Sequence, residues 1–161
     1  MPNIDKSSYI AKSSVIIGNV TIGKNCGVYP NAVIRGDQNT ILIGDGSNVQ
    51  DCCVIHVDKE HCTVIGKNVS IGHSAVVHGA QIDDDCLIGI NSTILNGAKI
   101  SSGSIVGAGA LVTANMEVPK NSLVLGIPGR VVKQDPSFIE MIRKNAETYK
   151  KLSLRYKEDK V

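Results

Sequence analysis

Isoleucine or valine recurs every six residues through most of this chain. Stepping from Ile4 gives Ile10, Ile16, Ile22, Val28 and Ile34. A step of nine leads to Ile43, then Val49 and Ile55; a step of ten leads to Ile65, then Ile71 and Val77. One step of five reaches Ile82, and Ile88, Ile94, Ile100, Val106, Val112, Val118 and Val124 follow in unbroken sixes. Neither the 3.6-residue period of a helix nor the two-residue period of a flat strand gives this spacing. It is the signature of a β-helix, in which each hexad makes one short strand and one corner. Three hexads close a triangular coil. Each anchor then points inward and stacks on the anchor three hexads away. Such a solenoid is quasi-one-dimensional, because every coil buries its apolar face only against its neighbours.

Composition agrees. Aromatic residues are 3% of the 161, with no Trp and one Phe. Ile and Val must therefore fill the core, and β-branched side chains favour pleated surfaces. The net charge of +2, without a basic stripe or interleaved aromatics, points away from nucleic acid and membrane surfaces. No apolar run approaches the roughly 18 residues of a membrane span, and the opening MPNIDKSSYIAK has no signal-peptide pattern. Five cysteines, an odd number with no CxxC pair, read as reduced thiols in a cytoplasmic protein. Cys26, Cys53 and Cys86 fall four residues after their anchors, where small inward residues recur, and are expected in the core.

After GIPGRVVKQDP the pattern changes. Phe138, Ile142, Tyr149, Leu152 and Tyr156 recur at helical spacing, with Asp135 and Pro136 suited to the cap and the first helical position. Lys150, Lys151, Arg155 and Lys157 place positive charge towards the helix C-terminus. The expected organisation is an all-β solenoid over residues 1–133 and an α-helix over 134–158, packed along it as one unit.

The two long steps predict loops expelled from corners, over Asp37–Leu42 and Asp58–Val64. Rigid scaffolds usually carry function on such loops. Residues just after the anchors of one edge form the column Ile17, Arg35, His56, His78, Leu95. His56 and His78 are then equivalent on successive coils, about 4.8 Å apart, and can converge on one metal ion. On the preceding edge, the second residues after the anchors are Pro30, Asp51, His73 and Ile90, so Asp51 stacks beside His73, with Gln50 next to it. His73 lies a corner away from His78, on the order of 10 Å along the path. One chain can supply two imidazoles to an ion and a neighbouring chain the third, an arrangement that suits a trimer of triangular prisms. His61, inside the second loop, has no stacked partner.

The stretches IRGDQ (34–38), GDGSNVQDCCVIH (44–56) and IGHSAVVHG (71–79), together with the repeat and the C-terminal helix, resemble the γ-class carbonic anhydrase family over nearly the whole chain. The resemblance implies that the β-helix is left-handed. It implies reversible hydration of CO₂ to bicarbonate by a metal-bound hydroxide at the subunit interfaces of a homotrimer. In that pattern His56 and His78 are ligands from one subunit and His73 is the ligand from the next, with one Zn²⁺ per interface, or Fe²⁺ or Co²⁺. Arg35 and Asp37 match the interfacial pair beside the site. Gln50 matches the residue that hydrogen-bonds metal-bound solvent, and Asp51 its orienting neighbour. Tyr149 matches a tyrosine placed over the pocket by the helix, with Tyr156 as the competitor. Efficient members carry a glutamate where this chain has Gln38, and a longer acidic loop after the first histidine. Here that loop is VDKEHCTV, with Asp58 and Glu60 as its acids. The repeat and the tail GIPGRVVK are shared with hexapeptide acyltransferases. The alternatives are therefore an acyl-CoA-dependent transferase or thioesterase, or a metal-binding scaffold with weak turnover.

Overall fold

The computed structural model describes residues 1–160. Short parallel strands, most of them two or three residues long, are stacked in three columns that form the faces of a triangular prism. The first face pairs Ile16 with Ile34, then Ile55, Val77, Ile94 and Val112 in succession. The second stacks Ile4, Ile22, Ile43, Ile65, Ile82, Ile100 and Val118. The third stacks Ile10, Val28, Val49, Ile71, Ile88, Val106 and Val124. The register is thus the six-residue count carried round three corners. From the second coil onward the anchors are fully buried. Ile4, Ile10 and Ile16 are only partly so, because the first coil has a neighbour on one side alone.

Each corner needs a residue that reverses the chain direction. Asn25, Asn31, Asn68, Asn91, Asn115 and Asn121 do this with φ between 53° and 60°, a left-handed conformation that Asn tolerates better than most side chains. Cys52 turns another corner at φ 60°. Its neighbour Cys53 points inward and is buried, as are Cys26 and Cys86. Burial pushes the Cys53 and Cys86 thiols up to about 12.

The two long steps behave differently from each other. The first is not expelled as a loop over Asp37–Leu42. Its extra residues stay within the continuous strand Val33–Ile43, where Ile41 and Leu42 pair with Thr63 and Val64. Opposite this strand lies Val15–Ile22, and the register slips between Gly18, paired with Gly36, and Val20, paired with Ile41. Four residues, Asp37 to Thr40, face the single Asn19, which makes a bulge. A bulge bends its strand and re-aims the side chains it carries; this one throws Asp37 out beside the next coil. The second long step is a true loop, but it ends earlier than expected, with Thr63–Ile65 already a strand.

At the C-terminal end, Ser122–Leu125 pairs antiparallel with the exposed strand Arg130–Gln134, so parallel stacking stops. The helix begins at Phe138 and runs to Lys157, later than the sequence suggested. Asp135 does not cap it; its Oδ1 accepts from the Ser137 N–H and hydroxyl in the turn before the helix. Ile142, Ala146 and Ser153 are its buried residues, packed on the third face. All four tyrosines gather at this seam. Tyr29 Oη bonds Ser153 Oγ at 2.9 Å and donates to the Tyr149 carbonyl at 3.1 Å. Tyr156 lies 5.2 Å from Tyr9 and 5.9 Å from Tyr29 between ring centroids. Arg143 and Lys150 tie the helix to Asp85 and Asn68 on solenoid corners.

Replacing a mid-stack anchor should cost as much as a core cavity in any close-packed protein. Ile88→Ala is expected to lose about 2–5 kcal/mol, read as a lower urea midpoint. Alkylation followed by mass spectrometry should leave Cys26, Cys53 and Cys86 unmodified until the protein is denatured.

Candidate metal centre

The first face carries the polar column. Arg35 pairs in register with His56, and His56 with His78. Their side chains point outward because the anchors before them, Ile34, Ile55 and Val77, point in. His56 Nδ1 and His78 Nε2 are 3.0 Å apart, with ring centroids 4.9 Å apart and planes at 69°. Asp37, displaced by the bulge, sets Oδ1 3.0 Å from His56 Nε2 and pairs Oδ2 with the Arg35 guanidinium. The hydrogen bond from His56, and then that from Arg35, hold the Asp37 carboxyl below the usual carboxylate range.

His73 lies on the adjoining third face, and its side chain is 42% exposed against 11% for His56. Asp51 Oδ2 is 2.8 Å from His73 Nδ1. Gln50, buried at 4% exposure, accepts the His73 backbone N–H on Oε1 and donates from Nε2 to Asn48. The helix brings Tyr149 Oη to 3.4 Å from His73 Nε2, whereas Tyr156 stays in the aromatic seam. Burial, with the nearby Asp51 charge, raises the Tyr149 hydroxyl above its ordinary value, so it remains a donor at neutral pH.

Each of the three imidazoles therefore has one nitrogen against an oxygen acceptor: Asp37 for His56, Asp51 for His73, and Asn96 Oδ1 for His78. A neutral imidazole facing an acceptor puts its proton there and its lone pair on the other nitrogen. The free lone pairs are then on His56 Nδ1, His78 Nε2 and His73 Nε2. Two of them face each other across 3.0 Å, which only a positive charge between them makes favourable. Two nitrogens bound to one tetrahedral Zn²⁺ lie about 3.3 Å apart, so the pair fits such an ion closely. Within one chain, no group of three or more His, Cys, Asp or Glu among the described residues is placed to hold a metal. The third imidazole is turned outward instead.

Beside His73 is a cavity of about 310 Å³, lined by Gln50, Leu87, Ile90, Asn145 and Tyr149. Asn145 Oδ1 is the one buried side-chain oxygen or nitrogen without a hydrogen-bond partner among the described residues. Nothing in the helical pattern singles out Asn145; only its place one turn before Tyr149 does. Asn96 also escaped the column count, which pairs His78 with Leu95. His61 is not isolated in its loop: its Nδ1 lies 3.0 Å from Asp58 Oδ1.

The stacked hexads and the outward histidines define a class, the hexapeptide-repeat β-helices. The family described as "Bacterial transferase hexapeptide (six repeats)" matches residues 79–114, and "Hexapeptide repeat of succinyl-transferase" matches residues 62–86. A crystal structure of a hexapeptide transferase family protein from Anaplasma phagocytophilum superposes with TM-score 0.92 at 36% identity, over 96% of this chain and 92% of that one. The helix is of the left-handed kind. A Methanocaldococcus jannaschii protein named "Probable carbonic anhydrase" is 57% identical over 151 residues, covering 93% of this chain and 95% of that protein. An Arabidopsis thaliana protein named "Gamma carbonic anhydrase 1, mitochondrial" is 38% identical over 94% of this chain, which spans 58% of its length. This chain belongs to the γ-class carbonic anhydrase family.

In metal-free protein, carbon-detected titration should place the Asp37 carboxyl midpoint below the usual carboxylate range. His56→Ala is expected to raise that midpoint more than Arg35→Ala, because the histidine hydrogen bond is the larger cause.

Proposed function

We propose that this chain hydrates CO₂ reversibly to bicarbonate at three interfacial centres of a homotrimer, each holding one divalent ion, Zn²⁺ or alternatively Fe²⁺ or Co²⁺. The observation that carries the reading is the facing pair His56 Nδ1 and His78 Nε2, 3.0 Å apart, with the third imidazole, His73, directed away from them on an adjoining face. A second observation supports the trimer. Val15, Val33, Val54 and Val76 lie in register beside the Arg35, His56, His78 column. Val15 is 44% exposed and Ile17 46%, an apolar stripe that a partner subunit would cover. Three outward edges meeting around an axis would set His73 of one subunit against His56 and His78 of the next.

A bound divalent ion would supply the Lewis acidity that ionises water near neutral pH, the behaviour for which carbonic anhydrases are known. The chain's own residues do the rest. Asp37 and Asp51 keep protons on His56 Nε2 and His73 Nδ1, fixing which nitrogens face the ion. Arg35, anchored by Asp37, offers a guanidinium to the bicarbonate anion. Leu87 and Ile90 line the cavity with apolar side chains against which CO₂ would lie. Gln50 and Tyr149 present a fixed amide and a hydroxyl to solvent in the cavity. Among the described residues no helix is long and apolar enough to cross a membrane, and five unpaired thiols suit the cytoplasm.

The transferase descriptions follow the repeat, which this family shares with acyl-CoA enzymes. Those enzymes use a histidine as base, and three of the four histidines here are accounted for by the metal reading. A metal-binding scaffold without turnover would keep the same geometry.

Sedimentation should give about 51 kDa, three times the 17.1 kDa chain, with one zinc per chain in elemental analysis. Stopped-flow measurement on metal-loaded protein should show CO₂ hydration well above buffer. His56→Ala and His73→Ala should lose the metal about equally, while His61→Ala keeps it. Hydration at the buffer rate with each of the three metals sinks the enzymatic reading; tight zinc binding by His73→Ala sinks the interfacial ligand. Acyl-CoA binding by calorimetry would favour the transferase alternative.

A further inference from the structure

The loop that interrupts the repeat after His56 folds back on the metal pair. Thr63 Oγ1 donates to the His56 carbonyl at 2.8 Å and accepts the Gly79 N–H at 3.0 Å. Gly79 adopts φ 58°, and a Cβ there would stand 2.7 Å from His61 Cβ, so only glycine lets the loop lie this close. The loop thereby brings Asp58 to Asn96, whose Nδ2 donates to Asp58 Oδ2. Asn96 Oδ1 in turn lies 2.5 Å from His78 Nδ1. Asn96 is free for this because Gly97, at φ 72°, turns the corner.

A side-chain amide presents oxygen on one side and nitrogen on the other, and either orientation fills the same space. Asn96 alone would not choose between them. Asp58 chooses, because a carboxylate only accepts. Its Oδ1 receives the backbone N–H groups of Glu60 at 2.9 Å and His61 at 2.7 Å, and faces His61 Nδ1. With Asn96 Nδ2 committed to Asp58, Oδ1 must face His78. His78 then carries its proton on Nδ1 and its lone pair on Nε2, the nitrogen that faces His56.

We propose that Asp58 and Asn96 are positioning residues for the metal centre: the carboxylate orients the amide, the amide sets the Nδ1–H tautomer of His78, and Nε2 is presented to the ion. The proposal rests on the reading of His78 as a ligand. It also gives the inserted loop a task other than carrying protons outward, since Asp58 is already engaged by Glu60, His61 and Asn96.

The tautomer can be read without metal. The chain has four histidines, so ¹⁵N-histidine labelling of the chelator-treated full-length protein gives a sparse long-range ¹H–¹⁵N spectrum. The wild type should show His78 protonated on Nδ1. Asn96→Leu, which keeps the volume and removes both amide ends, should move a large share of His78 to the Nε2–H form. Asp58→Asn should do the same from the exposed loop, and it guards against a folding defect in the first variant. Both should weaken zinc affinity about 10–100-fold in a chelator competition. The exchanged pair Asp58→Asn with Asn96→Asp should restore both readouts, because a carboxylate at 96 again accepts from Nδ1. If both single variants keep the Nδ1–H tautomer and bind zinc within about threefold of wild type, the proposal is overturned. Wild-type protein that takes up no zinc overturns the metal reading and the proposal together, an outcome distinct from variants that bind as wild type does.

Discussion

Stacking of β-branched side chains along the prism axis is the interaction on which everything else rests. An anchor such as Ile71 touches Val49 in the coil before and Ile88 in the coil after. There are too few aromatic residues to fill a core in any other way. Because each anchor is flanked by residues that point outward, the same register that buries Ile55 and Val77 fixes His56 over His78. Core and site are two sides of one strand pairing.

Departures from the repeat supply what strict stacking cannot. A perfect hexad column repeats the same side-chain positions at every coil and gives no third direction from which to hold an imidazole. The bulge at Asp37–Thr40 pushes a carboxylate beyond the end of its own coil to reach His56. The loop after His56 carries a second carboxylate to Asn96 and so to His78. The helix lies along the third face and brings Tyr149 over His73. His56 and His78 thus each take an oxygen partner made available by an irregular segment, while His73 takes Asp51 from the regular stack and gains Tyr149 from the helix.

The sequence by itself determined the coil, its three faces, and the register of His56 with His78 and of Asp51 with His73. Those follow from counting by six, and backbone pairing in a solenoid leaves no freedom to slip without exposing every anchor. It also marked Tyr149 through the family resemblance. The tertiary structure alone decided how the extra residues are used. The nine-residue step from Ile34 to Ile43 reads as an expelled loop, and only the pairing of Gly36 with Gly18 and of Ile41 with Val20 makes its extra residues a bulge. Asp135 reads as a helix cap, yet the turn it makes with Ser137 delays the helix to Phe138. Asn96 resembles the many corner asparagines, and its separate duty shows only where Gly97 takes the left-handed turn and Asp58 arrives from a loop 38 residues earlier. Periodic packing is local arithmetic and can be read along the chain; the orientation of an amide or an imidazole depends on which acceptor reaches it in space, and that is known only once the coils are closed.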